Sequence, residues 1–284
     1  MIFIRDDLKA LFANEQSVSD FAAIEGEVFK RMPGRHTLRF ERDQRGFFIK
    51  YHSGVGWAEI FKNLLSLRLP VVSARNEWQA IKALERLSVS TMTLAAYGVE
   101  GHNPAHLRSF VITESIEGSE DLVHWLPRLQ DIADSGQRFR LKRAIIKKVA
   151  EIARRIHTNG INHRDFYLYH FRLADAEAGR LVDPDNLTVY LMDLHRVQIR
   201  AVAPPRWVVK DIAGLLYSTL YQVPEFTLSR ADALYFMHHY QVKPWRDSLR
   251  DDSKFWHQVV ARTAKMARKT HGSGTDMPAI LLHH

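Results

Sequence analysis

The strongest constraint on the fold of this 284-residue chain is a long helical repeat that runs directly into a short polar loop. Apolar side chains recur at helical spacing through residues 141–157, and charged side chains fill the opposite face. Gly160 follows as a C-terminal capping residue, and His163, Arg164 and Asp165 come just after it. The sequence therefore predicts a rigid helix as the base of a His-Arg-Asp loop.

A His-Arg-Asp loop between a helix and a short hairpin is the way in which kinase-like folds present a catalytic carboxylate. Asp165 would accept or orient the proton of an attacking hydroxyl, and Arg164 joins it as a catalytic candidate. A later acid must hold magnesium, and Asp193 is the candidate because an apolar strand at residues 187–192 delivers it. A lone His-Arg-Asp tripeptide also occurs by chance. A kinase-like interpretation therefore requires the other kinase elements elsewhere in the chain.

Composition narrows the class of protein. A hydrophobic fraction of 46% predicts a globular chain, and the absence of cysteine excludes disulfides and thiolate metal sites. The chain starts without a signal-peptide pattern and has no run of about 18 apolar residues, so we expect a cytoplasmic protein with at most peripheral membrane contact. The net charge of +8 suggests an anionic partner and equally fits an ordinary basic surface. No nucleic-acid-binding motif is present, so nucleic acid is not expected as a partner.

The first part of the chain is interpreted as a helical preamble followed by a hairpin. Residues 1 to about 35 predict a partly amphipathic helical segment, in which Ser19-Asp20 caps a helix whose apolar side carries Phe21, Ile24, Val28 and Phe29. Alternating patterns at residues 37–42 and 47–52 flank turn residues and predict two paired strands.

Lys50 and Glu77 are the candidates for a phosphate-binding pair. Lys50 lies near the end of the second strand, and Glu77 lies in the first turn of a helix that Ser73 caps. In kinases a strand lysine holds the α- and β-phosphates of ATP and pairs with a helix glutamate. The alternatives are a solvent-facing lysine and a glutamate that complements the helix dipole.

The stretch at residues 53–73 has two interpretations. Gly54 and Gly56 resemble a phosphate loop only loosely and follow Lys50, so they are not assigned to nucleotide binding. The Trp-, Phe- and Leu-rich run with Lys62 and Arg68 is either a membrane- or substrate-facing insertion or part of the core. No glycine-rich loop precedes Lys50, so we expect the phosphate lid at residues 41–46 or elsewhere.

Strands at residues 91–98 and 108–114 lead into a link at residues 114–119, where kinases bind the adenine edge through the backbone. Glu114 is the cofactor-binding candidate there. We expect an α+β, two-lobed fold, with a small, mostly antiparallel β lobe at residues 1–115 and a larger helical lobe at residues 116–284.

Beyond the loop, residues 206–216 predict the start of a buried helix that carries Asp211. In kinases an aspartate there hydrogen-bonds the backbone of the His-Arg-Asp loop; the alternative role is helix capping. Residues 127–140 suggest a loop, and residues 231–240 and 255–269 suggest helices. Four histidines lie around the loop in sequence: His157, His163, His170 and His195. Such a cluster could bind zinc, but its spacing matches no zinc motif, so we expect these side chains to pack under the loop.

Several strings resemble the lipopolysaccharide core heptose(I) kinase family. In the second half of the chain they are Asn162-His163-Arg164-Asp165-Phe166-Tyr167-Leu168-Tyr169-His170-Phe171, Asp193-Leu194-His195-Arg196 and Arg206-Trp207-Val208-Val209-Lys210-Asp211-Ile212-Ala213. Similar to the small lobe of the same family are Gly54-Val55-Gly56-Trp57, Lys62-Asn63-Leu64-Leu65 and Ala74-Arg75-Asn76-Glu77-Trp78-Gln79-Ala80. The resemblance covers roughly residues 30–220.

The resemblance implies ATP- and magnesium-dependent phosphorylation of the first heptose of the inner core, on a lipid A-anchored saccharide at the cytoplasmic face of a Gram-negative inner membrane. It also implies an association with acyl carrier protein, and we expect a monomer that visits an anionic membrane surface. His170 stands where kinases have the second magnesium ligand, and imidazole is a poorer magnesium ligand than oxygen. The alternatives are a kinase for another acceptor (protein tyrosine, aminoglycoside or another sugar) and a pseudokinase that only binds a partner.

Overall fold

The computed structural model describes residues 1–32, 34–65, 73–176, 182–223, 225–272 and 275. Contacts divide the chain into two compact units. The first unit comprises Met1–Arg86, Thr91–Glu117 and Asp193–Arg196, and the second comprises Leu87–Ser90, Gly118–Met192 and Val197–His284. Within the described ranges, every helix is too short or too polar to cross a membrane.

The first unit is built on a six-stranded antiparallel sheet. Its strands are β1 (Ile2–Ile4), β2 (Glu27–Met32), β3 (Arg35–Arg42), β4 (Arg45–His52), β5 (Leu94–Glu100) and β6 (Arg108–Glu114), in the order β1-β5-β6-β4-β3-β2. Three helices accompany them, α1 (Val18–Ala22), α2 (Gly56–Leu65) and α3 (Arg75–Arg86).

The predicted hairpin is confirmed as β3 and β4. Asp43 and Gln44 connect the strands with φ angles of 49° and 58°. Two successive positive φ values are typical of the tight hairpin turns whose twist matches that of paired strands.

The expectation of a helical preamble at residues 1–35 is wrong for most of its length. Among the residues of this stretch that the structure describes, only Val18–Ala22 is α-helical, and its cap is Ser17, whose side chain accepts from the Asp20 N–H. Val28 and Phe29 lie instead on β2, which pairs with β3. A methyl group on Gly26 would come within 2.3 Å of the Arg39 carbonyl oxygen, so glycine permits the close backbone approach that starts this pairing.

One face of the sheet is covered by the chain that precedes β2. Phe12 and Phe21 are fully buried there, against Phe47 and Phe110 of the sheet. The opposite face carries Lys50, since strand residues alternate between faces and Phe47 and Ile49 point into the core.

The second unit is mainly helical. Its helices are α4 (Leu122–Trp125), α5 (Ser135–Thr158), α6 (Pro205–Tyr221), α7 (Arg230–Gln241), α8 (Trp245–Asp251) and α9 (Ser253–His271); its strands are β7 (Glu120–Asp121), β8 (Ile161–Asn162), β9 (Phe171–Leu173), β10 (Val189–Leu191) and β11 (Gln198–Ile199). The α+β class is confirmed, with an antiparallel sheet in the smaller unit and helices dominating the larger one.

The central helix α5 is longer than its apolar repeat indicated. The Asp134 carboxylate accepts from the N–H groups of Gly136 and Gln137, so the helix starts at Ser135 inside the stretch expected to be a loop. Leu126–Asp131, also in that stretch, is a 3₁₀ helix. The two C-terminal helices expected from the sequence are confirmed as α7 and α9.

Candidate active site

Lys50 and Glu77 form an ion pair. The Lys50 ammonium lies 2.6 Å from a Glu77 carboxylate oxygen, and the Glu77 side chain is only 2% exposed. Ser73 positions the helix that carries Glu77, because its hydroxyl accepts from the Arg75 N–H at 3.2 Å. A carboxylate this buried requires a cationic partner, so the solvent-facing interpretation of Lys50 is excluded.

Asp193 extends the pair to a group of three charges. One of its carboxylate oxygens lies 3.9 Å from the Lys50 ammonium and 2.6 Å from His195 Nδ1. Burial lowers the pKa of Lys50, but the carboxylates of Glu77 and Asp193 outweigh it and raise the pKa above its usual value. Lys50 is therefore cationic at neutral pH. The φ angle of Asp193 is 56°, a left-handed conformation that is uncommon for a residue other than glycine.

The His-Arg-Asp loop is held by Asp211. The Asp211 side chain is buried inside α6, where Oδ2 accepts from the His163 N–H at 2.6 Å and Oδ1 accepts from the Arg164 N–H at 2.8 Å. Asp211 lies well inside the helix, so the capping alternative is excluded. Arg164 has a φ of 74°, and the two hydrogen bonds fix the loop at this strained residue.

Lys210 is a residue of this site that the sequence reasoning missed. Its ammonium lies 4.0 Å from Asp165 Oδ1 and donates to the Arg164 carbonyl oxygen. The only sequence signal was its position beside Asp211, one residue earlier on the same helix turn. The guanidinium of Arg164 lies 4.7 Å from the centre of the Trp207 ring, so α6 contacts both the backbone and the side chains of the loop.

The histidines near the loop have structural partners. Buried His157 contacts the Tyr240 hydroxyl at 3.0 Å and Asp211 Oδ2 at 3.4 Å, and His163 Nε2 lies 2.9 Å from the Met192 carbonyl oxygen. The His170 ring lies 5.7 Å from the His163 ring. Among the described residues, no cluster of three or more histidine or acidic side chains could hold a metal.

The carboxylate oxygens of Asp193 are ligands that suit magnesium better than zinc. Magnesium keeps several waters and is usually held by one or two carboxylates together with substrate phosphates, so a single aspartate such as Asp193 is sufficient on the protein side. Its carboxylate is 36% exposed and can reach a ligand.

Glu114 is already engaged by the sheet and its neighbours. Its carboxylate lies 2.6 Å from the Arg45 guanidinium and also binds Arg5, and its N–H donates to the Thr93 carbonyl oxygen. The Ser115 N–H donates to the Gly46 carbonyl oxygen, so the strand pairing continues into the link.

The expected lid segment lies at the wrong end of the strands. Glu41 pairs with Gly46, and Thr37 pairs with Lys50. Four residues of strand, about 13 Å, therefore separate Gly46 from Lys50. The structure corrects the placement of the lid at residues 41–46, which adjoins the Glu114 link instead.

An apolar cavity of about 180 Å³ in the second unit contains none of the candidate site residues. It lies among α5, α6, α7 and α9, and its acidic lining residue, Asp232, is paired with Lys142 at 2.6 Å. The candidate active site is thus assigned by its charged groups and not by the size of a cavity.

An ion-paired strand lysine and a catalytic loop clamped by an aspartate of the next helix define a protein-kinase-like phosphotransferase. The chain belongs to the lipopolysaccharide kinase (Kdo/WaaP) family, whose model matches residues 19–240. This finding confirms the resemblance seen in the sequence.

Named relatives agree with the family. The chain is 40% identical over 252 residues to the lipopolysaccharide core heptose(I) kinase WaaP of Pseudomonas aeruginosa, covering 89% of this chain and 90% of that protein. It is 36% identical over 274 residues to the protein of the same name from Escherichia coli K12, covering 96% and 100%. A solved structure of WaaP in complex with acyl carrier protein superposes with a TM-score of 0.76 at 33% identity, covering 94% of this chain and 99% of that one.

Proposed function

We propose that the protein transfers the γ-phosphoryl group of ATP to a hydroxyl of the first heptose of the lipopolysaccharide inner core. The observation that carries this proposal is the Lys50–Glu77 ion pair with the Asp193 carboxylate beside it. Maintaining a buried carboxylate, a cationic lysine and a left-handed aspartate together is costly for a fold, and the arrangement suits binding of a metal–nucleotide complex.

On the nucleotide side, Lys50 neutralises charge on the α- and β-phosphates, and Glu77 fixes its position. Asp193 would hold magnesium, and His170 would be the second candidate ligand, with imidazole the weaker donor. When bound, the ion offsets charge on the phosphate oxygens. The link at Glu114 binds the adenine edge through its backbone.

On the acceptor side, Asp165 orients the sugar hydroxyl and takes its proton. The hydroxyl oxygen forms a bond to the γ-phosphorus, the bond from that phosphorus to the bridging oxygen breaks, and ADP leaves. Lys210, 4.0 Å from the Asp165 carboxylate, restrains that side chain, and Asp211 restrains the backbone of the two preceding residues, His163 and Arg164. Positioning and electrostatics supply most of the rate in such a transfer, so few groups are needed.

The test uses purified protein, γ-labelled ATP and lipopolysaccharide from a strain that lacks this protein. We expect label on the heptose, located by mass spectrometry of the core. Asp165→Ala should retain ATP binding and lose at least about 99% of kcat. Asp183→Ala, which removes an exposed acid of the same unit, is the matched control and should keep wild-type activity.

Label on protein tyrosine, an aminoglycoside or another sugar, without label on the heptose, would favour the alternative acceptors. ATP binding with no transfer to any acceptor would favour the pseudokinase. Retention of more than about a tenth of kcat by Asp165→Ala would contradict the assignment of the loop.

The exposed face of α2 supports peripheral docking on an anionic membrane. Trp57, Phe61 and Leu65 are 47%, 57% and 87% exposed, and Lys62 lies among them. The rest of the apolar run, with Arg68, lies outside the described residues. Apolar side chains enter the interface while each basic group near it contributes about 1 kcal/mol, an attraction that salt screens.

Co-sedimentation with vesicles of neutral or anionic lipid tests this docking. Binding should rise with anionic lipid, fall with salt and weaken several-fold in Phe61→Ser, whereas Phe29→Ser, which removes an exposed phenylalanine of β2, should bind normally. Equal partitioning to neutral and anionic vesicles would contradict it, and salt-sensitive binding to DNA alone would favour nucleic acid as the partner.

Acyl carrier protein is the second proposed partner. The support is the solved complex of the structural relative WaaP with acyl carrier protein, together with the net charge of +8, which suits an acidic carrier. Titration calorimetry with purified acyl carrier protein should give a complex of one copy each that weakens with salt. Absence of binding at low salt would remove this partner from the proposal.

A further inference from the structure

Strand register decides which turn of the first unit lies near Lys50. In the β3–β4 pairing, Thr37 is opposite Lys50 and Arg35 is opposite His52. Directly opposite residues of an antiparallel pair project from the same face of the sheet, and so do alternate residues along a strand. Arg35 therefore shares a face with Lys50, at a diagonal spacing of about 7–8 Å that long side chains can bridge.

Arg35 begins β3 immediately after the turn that joins it to β2. Gly34 in this turn has a φ of 73°, and its carbonyl oxygen accepts from the Ser53 N–H at 2.9 Å. A methyl group on Gly34 would come within 2.5 Å of the Gly54 carbonyl oxygen, so the turn packs closely on the chain that leaves β4. The base of the Arg35 side chain is thus fixed before any ligand arrives.

Within the described part of the chain, the charge of Arg35 is not matched by an acid. Its guanidinium lies 3.1 Å from the sulfur of Met32, a weak acceptor, and among the residues that the structure describes no carboxylate forms an ion pair with it. Its positive charge opposes the rise in the pKa of Lys50 and contributes, after burial, to the lowered pKa of His52, in agreement with a side chain directed toward them. Arginines that lack an acidic partner beside a lysine are suited to binding an anion.

Lys50 alone is poorly matched to a polyphosphate. Its single charge already faces two carboxylates, at 2.6 Å in Glu77 and 3.9 Å in Asp193. A nucleoside triphosphate brings several negative charges, and kinases add the backbone N–H groups of a glycine-rich loop to meet them. This chain has no such loop before Lys50, and an arginine follows its β2–β3 turn.

We propose that Arg35 binds the polyphosphate of the nucleotide. Its guanidinium donates hydrogen bonds to the phosphate oxygens, as the backbone amides of a glycine-rich loop do in other kinases. This inference rests on the proposed function, because it requires ATP as the phosphoryl donor. It adds a nucleotide-binding residue beside the turn between β2 and β3, in place of the segment at residues 41–46.

The test measures binding of ATP and of adenosine to the full chain by titration calorimetry, with no saccharide present. Arg35→Gln should weaken ATP binding roughly ten- to hundredfold, the range expected for a charge-assisted hydrogen bond, and leave adenosine binding unchanged. Arg35→Lys should lie between Arg35→Gln and the unaltered chain, because it keeps the charge and loses the fork geometry. A structural role for Arg35 would not change the ratio of the two affinities.

Arg108→Gln is the matched control. Arg108 lies next to Ser109, which pairs with His52, so it is at the same end of the sheet and projects from the opposite face, where it pairs with Glu100 at 3.0 Å. This variant loses the same charge and should bind ATP normally. If Arg35→Gln does not fold, a weakened ATP-to-adenosine affinity ratio in Arg35→Lys supports the inference and an unchanged ratio overturns it.

Equal loss of ATP affinity in Arg35→Gln and Arg108→Gln would overturn the inference by showing a general effect of net charge. Unchanged ATP affinity in Arg35→Gln, with normal binding by the unaltered chain, would overturn the inference alone and leave the proposed function intact. Failure of the unaltered chain to bind ATP would overturn both.

Discussion

Replacing Asp211 with asparagine tests how the catalytic loop is held. The carboxylate accepts two backbone N–H groups, from His163 at 2.6 Å and from Arg164 at 2.8 Å, and is 1% exposed. Asparagine preserves the size of the side chain but has one acceptor oxygen and an NH₂ donor. One of the two N–H groups must therefore lose its acceptor and face another donor.

The expected loss of stability follows from the loss of the negative charge and the loss of one acceptor oxygen. Hydrogen bonds to charged groups contribute about 1.5–3 kcal/mol and neutral ones about 1 kcal/mol, so the remaining bond weakens by about 1 kcal/mol. An unsatisfied buried donor costs about 1–3 kcal/mol. We expect the free energy of unfolding to fall by about 2–4 kcal/mol. If the His-Arg-Asp loop instead moves to satisfy the unpaired N–H, the cost of about 2–4 kcal/mol raises the activation barrier. kcat then falls roughly 30- to 1,000-fold.

Urea unfolding and steady-state kinetics measure the two effects. Asp232→Asn is the control because Asp232 is also buried in the second unit, where it caps α7 and pairs with Lys142 at 2.6 Å. It should lose stability and keep kcat within about twofold of wild type. The reasoning fails if Asp211→Asn leaves both stability and kcat unchanged, or if Asp232→Asn lowers kcat as strongly.

Three further changes have defined outcomes. Glu77→Gln should lower kcat/KM for ATP roughly ten- to hundredfold in initial-rate assays, since it removes the charged partner of Lys50; an unchanged KM for ATP would count against the pair. Burial, with the nearby charges of Arg35 and Lys50, lowers the pKa of His52 from 6.5 to about 4, so the folded state binds fewer protons than the unfolded state between these values. Stability should therefore fall as pH drops from 6.5 to 4, by up to about 3 kcal/mol, and urea titrations of His52→Gln should lack this component. Gly160→Ala should destabilise by at least about 2 kcal/mol in urea, because φ is 76° and the added methyl would lie 1.8 Å from the Arg200 carbonyl oxygen; full stability would refute this.

The sequence pattern predicted those helix boundaries that depend on an apolar repeat or on a capping glycine. The apolar repeat of α5 gave its last four turns, and Gly160 marked its end, because burial of one face and a left-handed cap are both visible in the sequence. The start was missed because Asp134 caps a first turn of polar residues that no periodicity reveals.

The N-terminal helix was predicted wrongly because short apolar spacings fit a helix and a strand equally well. Val28 and Phe29 lie on β2, where a register shift between Val28 and Lys30 interrupts the pairing with β3. Such a strand is stabilised by pairing with residues 3 to 12 positions later in the chain, and the pattern of the strand itself does not report this pairing. Lys210 was missed for a related reason, since its contact with Asp165 joins residues 45 positions apart.

The position of Arg35 relative to Lys50 depends on strand pairing and cannot be read from the local sequence pattern alone. The burial of Leu38 and Phe40 forces the odd-numbered residues of β3 onto the opposite face of the sheet, and the alternation that predicted this strand contains that information. It does not say which end of the strand lies beside Lys50, because that depends on which residue of β4 lies opposite Thr37. A one-residue slip would turn Arg35 to the core face, at the cost of exposing Leu38 and Phe40. The hydrophobic core on one face of the sheet therefore fixes which cation is presented on the other.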